Sequence, residues 1–161
     1  MGVWNHLSDT FDSEVKKTII GMIYFVIGTN NLMGAIMDYA FDKLTGRLII
    51  HVDGSDSLRN RSVKYQKAFE SDRWWPGSDV LFFVSDSYSP PALQEIDDLY
   101  KLFERHSVRK VAIMSRDVLA KATADTAKRI AKMYQIPLKY FTDLQEMFDW
   151  INDDIRMGHQ V

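Results

Sequence analysis

Residues 109–151, RKVAIMSRDVLAKATADTAKRIAKMYQIPLKYFTDLQEMFDWI, set the architecture of this chain. The apolar run at its start predicts a buried strand, the alanine-rich segment predicts a long helix, and LKYF predicts a second strand. Thr142 is followed three residues later by Gln145, a capping-box pattern that predicts the start of a final helix. The stretch is therefore a β-α-β-α unit with almost no loop between its elements.

The spacing of apolar residues indicates which side each of these two helices buries. An alanine-rich face on the first helix predicts close approach to a sheet, and larger residues fill its end. The final helix has a four-residue apolar stripe. The predicted core residues of this unit are Ala120, Ala124, Ala127, Ala131, Ile130, Met133, Tyr134, Leu144, Met147, Phe148 and Ile151.

Upstream, the pattern changes from alternation to helical spacing. Tyr39 and Phe41 alternate with polar neighbours, Thr45-Gly46 supplies a turn, and RLIIHVDG alternates again, which together predict a β-hairpin. SLRNRSVKYQKAFESD has the spacing of an amphipathic surface helix, which Trp74-Trp75-Pro76-Gly77 ends.

DVLFFVSD is an apolar run without alternation, as expected of a strand buried on both faces in the middle of the sheet. The helix after it, with Ser89 as its N-cap, buries Leu93, Ile96, Leu99, Tyr100 and Phe103. The predicted fold class is α/β, with a mixed, mostly parallel sheet that opens with an N-terminal hairpin and is covered by helices.

The amino-acid composition excludes several classes of function. With 161 residues, 46% of them hydrophobic and 26% charged, the chain is long enough for one folded domain. Twenty basic against twenty-two acidic residues give a formal charge of -2, which argues against nucleic acid as a partner. The absence of cysteine excludes disulfides, thiolate chemistry and cysteine-ligated metal sites, and fits a cytoplasmic protein.

Residues 1–37 are expected to form an N-terminal extension to a domain that spans 38–161. Within it, residues 18–37, TIIGMIYFVIGTNNLMGAIM, are the most apolar window, but Asn30 and Asn31 near its middle make it a poor membrane-spanning candidate. The segment is expected to cover the domain or a second subunit, and homodimerisation is the simplest way to bury it. Contact with a membrane, and a natural start at Met22, Met33 or Met37, remain alternatives.

The chain resembles the SpoIIAA-like branch of the STAS-domain superfamily over about residues 38–152. The resemblance lies in the hairpin DYAFDKLTGRLIIHVDG, in FESDRWWPGSDVLFFVSD, and in RKVAIMSRD with its continuation to KYFTDLQEMFDWI. It implies a non-enzymatic domain without a cofactor or metal. Such a domain either switches between protein partners or binds small or lipid-like molecules.

The resemblance to anti-sigma-factor antagonists places a phosphorylatable serine after the central strand, where a helix N-terminus would favour a phosphate. In SDSYSPPAL the candidates for this phosphorylation or partner loop are Ser85, Asp86, Ser87 and Ser89. Those antagonists carry a D-S-[ST]-G-like segment at this point, of which only Asp86-Ser87 remains here. The glycine is absent, and Pro90 and Pro91 remove two N–H donors. The alternative is structural, with Ser89 as a cap and Ser87 as a turn former.

Adjacent aromatic residues indicate a second candidate surface. Trp74 and Trp75 cannot both point inward, and together with Tyr88 they form a candidate ligand or partner surface near residues 85–91. In the alternative interpretation, one tryptophan covers the core and the other covers a helix end.

No catalytic or nucleotide-binding motif is present in the sequence. The four histidines are scattered, and only His51, next to Asp53 on a predicted strand and within reach of a serine such as Ser85, suggests a hydrolase. We therefore expect a non-enzymatic binding or regulatory domain that recognises a protein partner or an apolar small molecule. The alternatives are a membrane-associated carrier of a lipid or other hydrophobic ligand and an unrecognised hydrolase that uses His51.

Overall fold

The computed structural model describes residues 39–52, 58–84 and 90–158, which form a five-stranded sheet and four helices. The predicted extension, residues 1–37, lies outside these residues. The strands are β1 (Tyr39–Phe41), β2 (Leu48–Val52), β3 (Val80–Val84), β4 (Val111–Met114) and β5 (Leu138–Phe141). The helices are α1 (Leu58–Glu70), α2 (Leu93–Arg105), α3 (Val118–Tyr134) and α4 (Leu144–Gly158).

The strands lie side by side in chain order, so that β3 is the middle strand, as the sequence predicts. β1 pairs with β2 antiparallel, which confirms the hairpin, and the other three pairings are parallel. Because the strand order never reverses, right-handed crossovers place α1, α2 and α3 on one face of the sheet. The sheet is therefore mixed and mostly parallel, and the class is α/β.

Alternating strand residues supply two cores. On one face, Ile50, Phe82 and Val111 pack with residues of α1, α2 and α3. On the other face, Leu81 and Ala112 pack against α4. Each large apolar side chain buried in this way contributes about 1.5–3 kcal/mol relative to exposure. The two faces explain why β3, which has a core on both sides, is apolar without alternation.

The predicted helix faces are mostly confirmed. All four alanines of the α3 stripe are buried, and so are all four residues of the α4 stripe. Two predictions are wrong, because Leu93 is 61% exposed and Met133 is 76% exposed. Leu93 is the first residue of α2, and Met133, two residues after the buried Ala131, points away from the buried side of α3.

Both predicted N-caps are also wrong. Helix α2 begins only after the two prolines, with Ala92 as N-cap, and the Ala92 N–H donates to the Glu95 carboxylate at 2.9 Å. Because the first helical residue is Leu93, the N-cap is Ala92 and not Ser89, which lies outside the described residues. At α4, Asp143 rather than Thr142 accepts a hydrogen bond, from the Glu146 N–H at 2.9 Å. The carboxylate is the stronger acceptor for this position.

Membrane crossing has no support in the described part of the chain. None of its four helices combines the length with the apolar composition that a bilayer span requires. The predicted membrane or dimer contact through residues 18–37 lies outside the described residues.

Candidate functional site

A cavity of about 90 Å³ lies between α1, α2 and α3 and the sheet face that they cover. Its walls are mainly apolar side chains from all three helices and from β2 to β5. For comparison, an apolar protein cavity of about 150 Å³ stays dry and takes up benzene or xenon. The wall includes Tyr65, Phe82, Ile96, Tyr100, Ala120 and Ala127.

The alanine-rich side of α3 explains why this space exists. Ala120 and Ala127 line the cavity opposite large residues such as Phe103 on α2 and Ile113 on β4. An alanine in that position fills little of the volume between helix and sheet, so the wall atoms lose packing partners. The stripe that predicts close packing thus also leaves room for a small molecule.

The polar groups of the cavity wall are few. Glu95 is committed to the start of α2 through its bond to the Ala92 N–H, and Arg61 also has an interaction partner. Tyr100 is 1% exposed, and its hydroxyl has no hydrogen-bond partner among the described residues. Burial raises the pKa of the Tyr100 phenol far above its usual value, so the group is neutral.

A surface groove adjoins the cavity between the first halves of α2 and α3. It shares three residues with the cavity wall, Pro91, Ile96 and Thr123, and is also lined by Leu93 and Leu119. Beside it, exposed apolar side chains project from the helix starts: Leu93 is 61% exposed, Leu119 51% and Val118 79%. Clustered apolar exposure of this kind is typical of an interaction surface.

The predicted phosphorylation or partner loop is mostly outside the described residues. This applies to Ser85, Asp86, Ser87, Tyr88 and Ser89, whereas Pro90 and Pro91, which follow them, border the groove. The groove therefore begins where the predicted loop ends.

The two tryptophans differ in how deeply they are buried. Trp74 and Trp75 precede β3, whereas Pro90 and Pro91 come after it, and Tyr88 lies outside the described residues. Trp74 is buried against Phe69, and its indole N–H donates to the His106 carbonyl at 3.0 Å. Trp74 is thus a core residue and not part of an exposed surface.

Trp75 is 47% exposed and covers the turn between β1 and β2. A Cβ atom placed on Gly46 would lie 2.3 Å from the Trp75 ring, so the indole packs directly on the glycine backbone. Gly46 has φ +71°, a conformation that also favours glycine. This contact gives Trp75 a structural role in the hairpin.

His51 lies on β2, half-exposed, beside Phe83 of β3. The partners that a hydrolase would need, Asp53 and Ser85, lie outside the described residues. Within 39–52, 58–84 and 90–158, no three histidine or acidic side chains come together in a way that would hold a metal ion.

Sequence reasoning missed a buried charge cluster at the edge of the sheet where the parallel strands begin. Asp79 accepts hydrogen bonds from Arg47 at 3.0 Å and, through both carboxylate oxygens, from Arg109 at 2.7 Å. Lys110 donates to the Trp150 carbonyl at 2.8 Å and also lies over the Trp150 ring. A signal was present, because Arg47, Asp79 and Lys110 each immediately precede a strand. The cluster joins three strands to α4 and is structural.

Comparison with known proteins adds no further evidence: no family model matches the chain, and no curated protein or solved structure is significantly similar to it.

Proposed function

We propose that this chain is a non-enzymatic, STAS-like binding domain that holds an apolar small molecule between α1, α2, α3 and the sheet. The observation that carries the proposal is the cavity of about 90 Å³ with its mainly apolar wall. The mixed, mostly parallel sheet with its opening hairpin is compatible with the STAS-like assignment.

The energetics favour a ligand without charge. Filling an empty apolar space restores dispersion contacts that the wall side chains lack, whereas an ion placed there would lose its hydration. Of the charged residues in the described wall, Glu95 accepts from the Ala92 N–H and Arg61 has an interaction partner. The wall is thus suited to hold a hydrocarbon body and offers no pair of groups set up for acid–base chemistry.

Native mass spectrometry of the full chain, purified from cells, tests the proposal. We expect extra non-covalent mass on the wild-type protein and its loss in Ala127→Leu, because the leucine side chain would occupy the cavity. Ala122→Leu is the matched control, since Ala122 is an exposed residue of the same helix that lines the groove and not the cavity. Bare protein in all three samples, or equal loading of both variants, would contradict the proposal.

Recognition of a protein partner is the second candidate function. The exposed apolar side chains of Leu93, Val118 and Leu119 favour this interpretation. Crosslinking in cells followed by mass spectrometry tests it, with Val118→Lys expected to remove crosslinks that wild-type protein forms. Met133→Lys is the control, because Met133 is 76% exposed but lies at the far end of α3. Equal crosslinking of both variants would argue against a partner at this surface.

A further inference from the structure

The Tyr100 hydroxyl is an unusual group in this domain. Tyr100 lines the cavity, is 1% exposed and has no hydrogen-bond partner in the described part of the chain. Two other tyrosines behave differently, because Tyr134 donates to Asp97 at 2.7 Å and Tyr140 donates to the Ser115 carbonyl at 2.6 Å. A buried polar group left without a partner lowers stability, and each instance calls for a physical explanation.

The protonation state of the Tyr100 phenol determines which chemical group could be its hydrogen-bond partner. Since burial keeps Tyr100 protonated, it offers one O–H donor and an oxygen lone pair, and no negative charge. The complementary group is an uncharged oxygen such as a carbonyl or a hydroxyl. The rest of the wall is mainly apolar, and it includes Phe103, Leu99 and Ile96 on the same helix.

We infer that the ligand of this cavity is a small hydrocarbon body bearing an uncharged carbonyl or hydroxyl oxygen, and that this oxygen forms a hydrogen bond with the Tyr100 hydroxyl. The inference rests on the proposed function and specifies its ligand class. Tyr100 is then the residue that selects oxygenated over purely hydrocarbon molecules.

The test compares two molecules of nearly equal shape, cyclopentanone and methylenecyclopentane, which differ in a carbonyl oxygen against a methylene group. Dissociation constants for both are measured by NMR titration of the full-length wild-type protein, Tyr100→Phe and Tyr134→Phe. Tyr134→Phe is the matched control, because its ring lies beside Tyr100, with centroids 6.0 Å apart, but Tyr134 does not line the cavity.

We expect Tyr100→Phe to weaken cyclopentanone binding relative to methylenecyclopentane by about threefold to tenfold, the range of one net hydrogen bond. Methylenecyclopentane binding should stay unchanged in Tyr100→Phe, and both ligands should bind Tyr134→Phe as they bind wild type. Because the substitution removes only a hydroxyl without a described partner, the variant should fold at least as stably as wild type, which thermal unfolding checks.

The outcomes separate the two claims. If both molecules bind wild type and Tyr100→Phe with the same ratio of affinities, the cavity is a binding site but Tyr100 does not select its ligand, and the inference is overturned. The same result is expected if a bound water molecule, and not the ligand, forms the hydrogen bond with the Tyr100 hydroxyl. If neither molecule binds wild type, the proposed function itself fails.

Discussion

Arg47 and Asp79 form an ion pair in which both side chains are only 2% exposed, with 3.0 Å between Arg47 Nε and Asp79 Oδ2. Arg109 approaches the same carboxylate at 2.7 Å, and Arg47 also donates to Asn152 of α4 at 2.7 Å. One buried carboxylate therefore holds two cations from the starts of β2 and β4. These contacts tie the starts of two parallel strands to α4.

Replacing this carboxylate should be costly. We expect Asp79→Asn to lower the free energy of unfolding by about 3–5 kcal/mol, because it leaves the buried Arg47 charge without its counter-ion. Urea denaturation at neutral pH measures the loss. The control is Asp125→Asn, which removes an exposed ion pair to Lys128 on α3 and should change stability by less than about 1 kcal/mol. Equal effects of the two substitutions would contradict the structural role of Asp79.

The contact between Trp75 and Gly46 gives a second prediction. Gly46→Ala should destabilise the protein more than Gly77→Ala, because both glycines have positive φ but only the Cβ at Gly46 would meet the Trp75 ring. The backbone strain common to both costs about 1–3 kcal/mol. Thermal unfolding of the two variants measures the difference. In a Trp75→Ala background the two substitutions should become similar, and an undiminished gap would show that Trp75 is not the obstacle.

Because Tyr134 donates a hydrogen bond to Asp97, we expect the stability of the fold to depend on pH through these two groups. This bond, with help from Lys101, lowers the pKa of Asp97 below 3.8, and in return it raises the pKa of Tyr134 to about 12. A lowered carboxyl pKa stabilises the fold above the unfolded-state value and loses that contribution as pH falls through the folded-state value. A raised phenol pKa stabilises the fold below about 10 and loses that contribution as pH rises through about 12.

NMR titration of the Asp97 carboxyl carbon checks this coupling. We expect the pKa of Asp97 to rise towards its ordinary value in Tyr134→Phe, since the largest cause of its shift is removed. Lys101→Met should also raise the pKa of Asp97, since Lys101 lowers it through both a hydrogen bond and its charge. An Asp97 pKa that is the same in wild type and Tyr134→Phe would show that the hydrogen bond does not form in solution.

The architecture was largely predictable from the sequence because the spacing of apolar residues differs between helices, half-buried strands and fully buried strands. The β4-α3-β5-α4 unit, the hairpin and the central position of β3 all follow from periodicity, and the buried stripe of α4 is confirmed residue by residue. Helix starts were less predictable. Thr142 and Asp143 are adjacent, and either side chain could cap α4, but Asp143 does so. Helix α2 starts at Leu93, after the two prolines.

The candidate site was not predictable, for a physical reason. A stripe of alanines has the same sequence pattern whether the opposing surface closes on it or leaves a gap, and the outcome depends on where Phe103 and Ile113 come to lie in the fold. Tyr100 appeared in the sequence only as a core residue of α2. Its unpartnered hydroxyl becomes visible once the neighbouring elements are in place.

The most direct test of the account is uptake of xenon, an apolar atom that enters dry cavities. Amide and methyl NMR spectra of the full-length protein are recorded under increasing xenon pressure for wild type, Ala127→Leu and Ala122→Leu. We expect saturable shifts at residues around the cavity in wild type and Ala122→Leu, and their loss in Ala127→Leu. Absence of saturable shifts in wild type, or shifts that persist in Ala127→Leu, would contradict the claim that this cavity is a binding site.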